Sequence, residues 1–255
     1  MSAVHLDISG PVATLTLDNP AKLNALTPEM LHDLNGHLNQ VEADLAVRVV
    51  LLTGNHPKAF CVGADINAWA ELSPASFARS WVRDGHRIFD SLARLAKPTI
   101  AVLNGHAFGG GLELAAACDI RVMAEGVRLA LPEASVGVVP GWSGTQRLAR
   151  LLPEPVLKEM ALFGRQIGAQ RAASLGFVAE VSDDPMATAQ EIATNAAPLS
   201  PRATEITKNM IHAGVGEDTA ALIEALGGGL IAGSDDKVEG VSAFREKRAP
   251  HFSGQ

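Results

Sequence analysis

Two glutamates and two glycine-bearing turns hold the groups in this chain with the strongest claim to chemistry. Gly109-Gly110-Gly111 leads into a helix-forming run over 112–118, and Glu113 stands in its first turn. Consecutive glycines leave backbone N–H groups bare at the positive end of a helix dipole, where an ionised glutamate is favoured. The neighbours of Glu113 are almost all apolar, unlike those of a solvated surface glutamate. A carboxylate base beside an anion-stabilising backbone suits enolate chemistry. A second turn, Val62-Gly63-Ala64, can aim the Ala64 N–H into a cleft. With the Gly110 N–H opposite, the pair would form an oxyanion hole. Glu133 follows an apolar run and Pro132, a position expected in a loop at a sheet edge. Two carboxylates in different surroundings can divide into a base and an acid.

A third constellation is Val138-Val139-Pro140-Gly141-Trp142-Ser143-Gly144-Thr145-Gln146-Arg147. Its glycines suggest close backbone approach, and Thr145 can cap the helix that follows. Ser143 does not complete Gly-x-Ser-x-Gly, because residue 145 is Thr, so a serine nucleophile elbow is disfavoured. The triple glycine likewise breaks Gly-x-Gly-x-x-Gly at Leu114 and lies several residues beyond its strand, which argues against a dinucleotide site.

These groups need elements to place them. Val12-Ala13-Thr14-Leu15-Thr16-Leu17 alternates as a strand does. Thr27 and Pro28 mark a helix start, and Met30, Leu31, Leu34, Leu38 and Val41 keep helical spacing. Residues 47–53 and 99–103 are mostly apolar and do not alternate, the pattern of strands covered on both faces. Helical spacing between them spans 77–95, and further strands are expected at 120–123 and 127–131. Helices follow at 145–152, 154–163, 169–175 and 186–197, then at 202–213, 218–226 and 235–247. The expected architecture is α/β, with a sheet-containing core over 1–195 and a helical region over 196–255.

Composition narrows the class. The 255 residues are 47% hydrophobic and 19% charged, enough for one large core with a slight apolar excess that hints at an oligomer. A net charge of −7, with no run of basic residues beyond two, argues against nucleic acid. Tyrosine is absent, so no tyrosine can serve as an acid. Cys61 and Cys118 have no metal-ligand spacing and call for no oxidising compartment. The first residues lack a basic segment followed by an apolar one, and no apolar stretch suits a membrane span, so a cytoplasmic location is expected.

Taken together, these segments resemble the crotonase superfamily, the enoyl-CoA hydratase/isomerase proteins. Phe60-Cys61-Val62-Gly63-Ala64-Asp65-Ile66 is similar to the family's first oxyanion segment, and Asn104-Gly105-His106-Ala107-Phe108-Gly109-Gly110-Gly111-Leu112-Glu113-Leu114 to its second. Leu131-Pro132-Glu133, then Pro140-Gly141 and Gly144-Thr145-Gln146-Arg147-Leu148, resemble the acid-bearing loop and its helix. Asn19 to Leu26, with Lys22-Leu23-Asn24-Ala25-Leu26, resembles the early CoA-contacting loop, and residues 239–248 the C-terminal helix.

The resemblance implies a spiral of strand–strand–helix turns with a C-terminal helical trimerisation region, assembled as a trimer or a dimer of trimers. It implies an acyl-CoA substrate, with coenzyme A arriving on that substrate and no separate cofactor or metal. Both glutamates are present, as in the hydratases, so the implied reaction is addition of water to a trans-2-enoyl-CoA. Other reactions of the superfamily, namely double-bond isomerisation, thioester hydrolysis or C–C cleavage, form the alternative, because a fold does not fix a reaction. A non-catalytic CoA-binding or RNA-binding member is a further alternative, disfavoured by the acidic charge and the two glutamates. The implied catalytic set is Glu113, Glu133, Ala64, Gly110 and Gly141. Lys22, Leu23, Ala25, Ala64, Asp65, Ile66, Gly110 and Trp142 would contact CoA or the acyl group, with Phe244 and Lys247 reaching in from a neighbouring subunit. Trp142-Ser143 stands where many hydratases carry small residues, which implies a reshaped acyl pocket.

Overall fold

In the computed structural model, which describes residues 2–255, the alternating run becomes strand β2 (Val12–Asp18). Ala13, Leu15 and Leu17 point into the core, and the two threonines between them are half-buried. Strand β1 (Ala3–Ser9) pairs antiparallel with it across a two-residue turn at Gly10-Pro11. The central strands β3 (Val49–Gly54) and β5 (Thr99–Leu103) are buried at every position. Their alternate residues feed two different clusters. Val50, Leu52, Ala101 and Leu103 join the main core, while Val49, Leu51, Ile100 and Val102 pack with Ala189 and Ala193 on the opposite face. Both faces being covered explains why these strands read as mostly apolar runs without alternation.

Strands β7 (Ile120–Ala124) and β10 (Glu180–Ser182) complete a six-stranded sheet of order β1-β2-β3-β5-β7-β10, parallel beyond the first pair. A second sheet of order β4-β6-β8-β9 is built from β4 (Ala59–Cys61), β6 (His106–Phe108), β8 (Arg128–Ala130) and β9 (Ile167–Gly168). The chain visits the first sheet, then the second, then a helix, and repeats. This is the strand–strand–helix spiral.

Helix α1 (Pro28–Ala43) starts as its residues dictate, with Thr27 Oγ1 accepting from the Met30 N–H at 3.3 Å. A single turn, α2 (Pro74–Ser76), leads through a π-helical segment, Phe77–Val82, into α3 (Arg83–Ala93), so the run expected as one helix changes its winding. Helix α4 (Gly110–Ala116) begins two residues earlier than its apolar run implies and is buried at every position. Helices α5 (Gly144–Leu151), α6 (Glu154–Phe163), α7 (Ala169–Ser174) and α8 (Pro185–Ala196) follow, and α8 supplies the alanines that cover the sheet.

The chain divides into two compact units, one ending at Pro201 and a second, Arg202–Gln255. The second carries most of α9 (Pro201–Gly214), then α10 (Thr219–Ala232) and α11 (Asp235–Glu246). Helix α10 continues through Gly227-Gly228-Gly229, past the end expected at 226, and none of its residues is buried.

Candidate active site

Ala64 is fixed by a parallel bridge to Leu26. The Leu26 N–H donates to Gly63 O and the Asp65 N–H to Leu26 O, both at 2.8 Å. A bridge of this kind uses the groups on either side of Ala64, and its own N–H has no acceptor among the described residues. The same is true of the Gly110 N–H at the start of α4, where no earlier turn exists to receive it. The two lie close together. A Cβ built on Gly63, whose φ is 109°, would stand 3.3 Å from the Gly110 nitrogen, and one on Gly110 would stand 3.6 Å from the Ala64 nitrogen.

Glu113 is only 3% exposed. Its Oε1 accepts from the Trp142 N–H and the Gly144 N–H, each at 2.8 Å, and the nearby Gly141 amide also favours the ionised carboxylate. Burial pushes its pKa up, and the three amides and the Arg147 charge offset this only in part. The helix dipole alone would have kept it at a lower value. Glu133 opens a 3₁₀ turn, Glu133–Val136, after strand β8. Burial pushes it up to about 7, and the negative charge of Glu113 adds to the shift. Its Oε2 is buried without a hydrogen-bond partner among the described residues. Gly109, with φ 52°, makes the space for it, since a Cβ there would come within 2.9 Å of Glu133 Oε1.

Both carboxylates line one cleft, together with Ala64, Gly110 and Gly141. Ile66, Trp69, Phe77, Trp81, Val82 and Trp142 make its apolar wall. Trp142 is almost wholly buried, with ring centroids 5.3 Å from Trp81 and 5.1 Å from Phe89. Its Nε1 donates to Trp81 O at 3.2 Å. Cys61 is buried behind the site, and desolvation pushes its thiol up to about 12, so it is an inert core residue.

Of the other residues singled out in the sequence, Lys22 and Asp65 meet in an ion pair of 2.6 Å. Leu23 is exposed with φ 52°, and Ala25 is buried. In the second unit, Phe244 is 86% exposed on α11, and Lys247 follows that helix in a left-handed conformation. Asn24, named above only as part of its loop, has a structural task that no local pattern shows. It is fully buried, and its Nδ2 donates to Ala59 O and Phe60 O at 3.1 Å, tying the Lys22 loop to β4. His86 and Asp90 on α3 were equally hidden. They face Ser143 and Arg147, partners too distant in the chain for any spacing to show.

The two-sheet spiral and a cleft with paired carboxylates define a crotonase-type fold and site. The chain belongs to the enoyl-CoA hydratase/isomerase family, whose model matches residues 7–255. It is 35% identical to the short-chain-enoyl-CoA hydratase of Clostridium acetobutylicum, over 97% of this chain and 96% of that one. It is 37% identical to the (E)-benzylidenesuccinyl-CoA hydratase of Thauera aromatica, over 98% of this chain and 99% of that one. Among solved structures, an enoyl-CoA hydratase from Bacillus anthracis superposes with a TM-score of 0.81 at 34% identity, covering 99% of each chain.

Proposed function

We propose that this protein adds water to the double bond of a trans-2-enoyl-CoA, giving a 3-hydroxyacyl-CoA. The observation that carries this reading is a buried and a half-buried carboxylate facing one cleft beside two backbone N–H groups without acceptors among the described residues. The thioester oxygen sits against the N–H groups of Ala64 and Gly110, which bind it more strongly as it gains charge. Glu113 and Glu133 hold the water between them, with the Gly141 amide at its edge. Glu113 takes the proton as oxygen attacks C3, and protonated Glu133 delivers one to C2. The proton on Glu113 then returns to Glu133 before the next turnover. A pKa of about 7 suits Glu133 to that donation near neutral pH.

Coenzyme A arrives on the substrate, and no separate cofactor enters these steps. Lys22 supplies a cation for its phosphates, released from Asp65 or shared with it, while Leu23, Ala25 and Ile66 border the pantetheine and acyl groups. Phe244 and Lys247 come from a neighbouring subunit of a trimer or a dimer of trimers. The exposed Ile223, Leu230 and Ile231 of α10 support an assembly through the helical region.

Turnover of crotonyl-CoA in heavy-oxygen water tests the reaction. A product carrying the label on C3 supports hydration. A shifted double bond or free CoA without that label would replace it with another reaction of the superfamily.

A further inference from the structure

Ser143 lies between the two residues whose amides hold Glu113, and its φ is 72°. Amides two residues apart converge on one oxygen when the chain turns left-handed at the residue between them. Glycine adopts that conformation freely, whereas an L side chain does so only where its surroundings enforce it. The enforcing contacts come from one face of α3. Ser143 Oγ shares a hydrogen bond of 2.7 Å with His86 Nδ1. His86 Nε2 lies 3.5 Å from Asp90 Oδ2, and Asp90 also pairs with Arg147 of α5. Beside them the Trp142 ring packs so closely on Gly85 that a Cβ there would overlap the indole. Ser143 and His86 are both absent from the cleft wall, so the serine hydroxyl is turned toward α3 and away from the site of reaction.

We propose that Ser143 and His86 form a latch that keeps residue 143 left-handed and thereby keeps the Trp142 and Gly144 N–H groups on Glu113. Both are positioning residues. The kinetic part of this inference rests on the hydratase reading, but the latch itself does not. Without the Ser143–His86 bond, the strained turn relaxes and its amides leave the carboxylate. Glu113 then keeps its buried surroundings, the charge of Arg147 and its neighbour Glu133, but loses the donors that favour its ionised form.

Three variants test this, read by steady-state kinetics across pH and by hydrogen exchange at the amides of residues 142 and 144. Ser143→Ala keeps a Cβ that disfavours the left-handed conformation and loses the bond that enforces it. It should lower kcat roughly tenfold, leave KM within about twofold and move the acidic limb of the kcat profile upward. Both amides should exchange faster. His86→Ala, at a half-exposed side chain, should do the same and stands in if Ser143→Ala fails to fold. Ser143→Gly should restore most of what Ser143→Ala loses, because glycine needs no latch. Wild-type exchange rates in both alanine variants, or a glycine variant as impaired as the alanine one, would overturn the proposal. Should the wild type fail to hydrate enoyl-CoA, the hydratase reading falls, and the exchange rates still decide the latch.

Discussion

Glu113 and Gly144 are fitted to each other. The Gly144 N–H donates to Glu113 Oε1 at 2.8 Å, and a Cβ on residue 144 would stand 2.6 Å from that same oxygen. No other residue type leaves room for a buried carboxylate so close to the start of α5. Gly144→Ala should therefore displace Glu113 and lower kcat by about 10²-fold, the scale of a misplaced catalytic group. A folded Gly144→Ala protein with wild-type kcat would show that the carboxylate position is unimportant.

The two carboxylates have separate tasks, so each should be indispensable. Glu113→Gln and Glu133→Gln should each lower kcat by about 10²–10⁴-fold, the usual contribution of a positioned acid or base. Affinity for a 3-hydroxyacyl-CoA product, measured by calorimetry, should change little. An active Glu133→Gln protein would remove Glu133 from the role of acid.

Burial of Glu133 also predicts a dependence of stability on pH. Its folded pKa, about 7, exceeds the ordinary value of 4.5, so the folded state binds the proton more tightly than the unfolded state. That contribution is fully present below 4.5 and is lost as pH rises through about 7. Glu133→Gln, which cannot ionise, should melt about 2–4 °C above wild type at pH near 8. The gain should vanish below pH 4.5. An equal melting difference at both pH values would mean that Glu133 ionises normally.

Trp142 is part of the apolar wall of the cleft and packs against Trp81, Phe89 and Gly85. Trp142→Ala should cost about 3–5 kcal/mol of stability, as buried aromatic truncations do. It should also widen the range of acyl chains accepted, measured as kcat/KM along a series of enoyl-CoA lengths. A destabilised protein with an unchanged series would confine Trp142 to packing.

Much of this arrangement was legible in the sequence where local pattern and local function coincide. The mostly apolar, non-alternating runs at β3 and β5 reported sheet faces covered on both sides, and the triple glycine reported the start of α4 beside Glu113. The three-residue strands β4 and β6 were not legible, because so short a segment carries no period. Their existence depends on pairing with each other, a contact between residues far apart in the chain. The same limit hid the structural task of Asn24 and the Ser143–His86 bond. It also concealed the raised pKa of Glu113, where burial from all sides outweighs a helix dipole that the sequence does display.

The most direct test of the whole account is the absorbance of the conjugated enoyl thioester when crotonyl-CoA meets wild-type protein, Glu113→Gln and Glu133→Gln in parallel. Paired acid–base hydration predicts rapid loss with wild type and almost none with either variant. Loss at the wild-type rate in both variants, or no loss with wild type while it still binds the CoA ester, would contradict it.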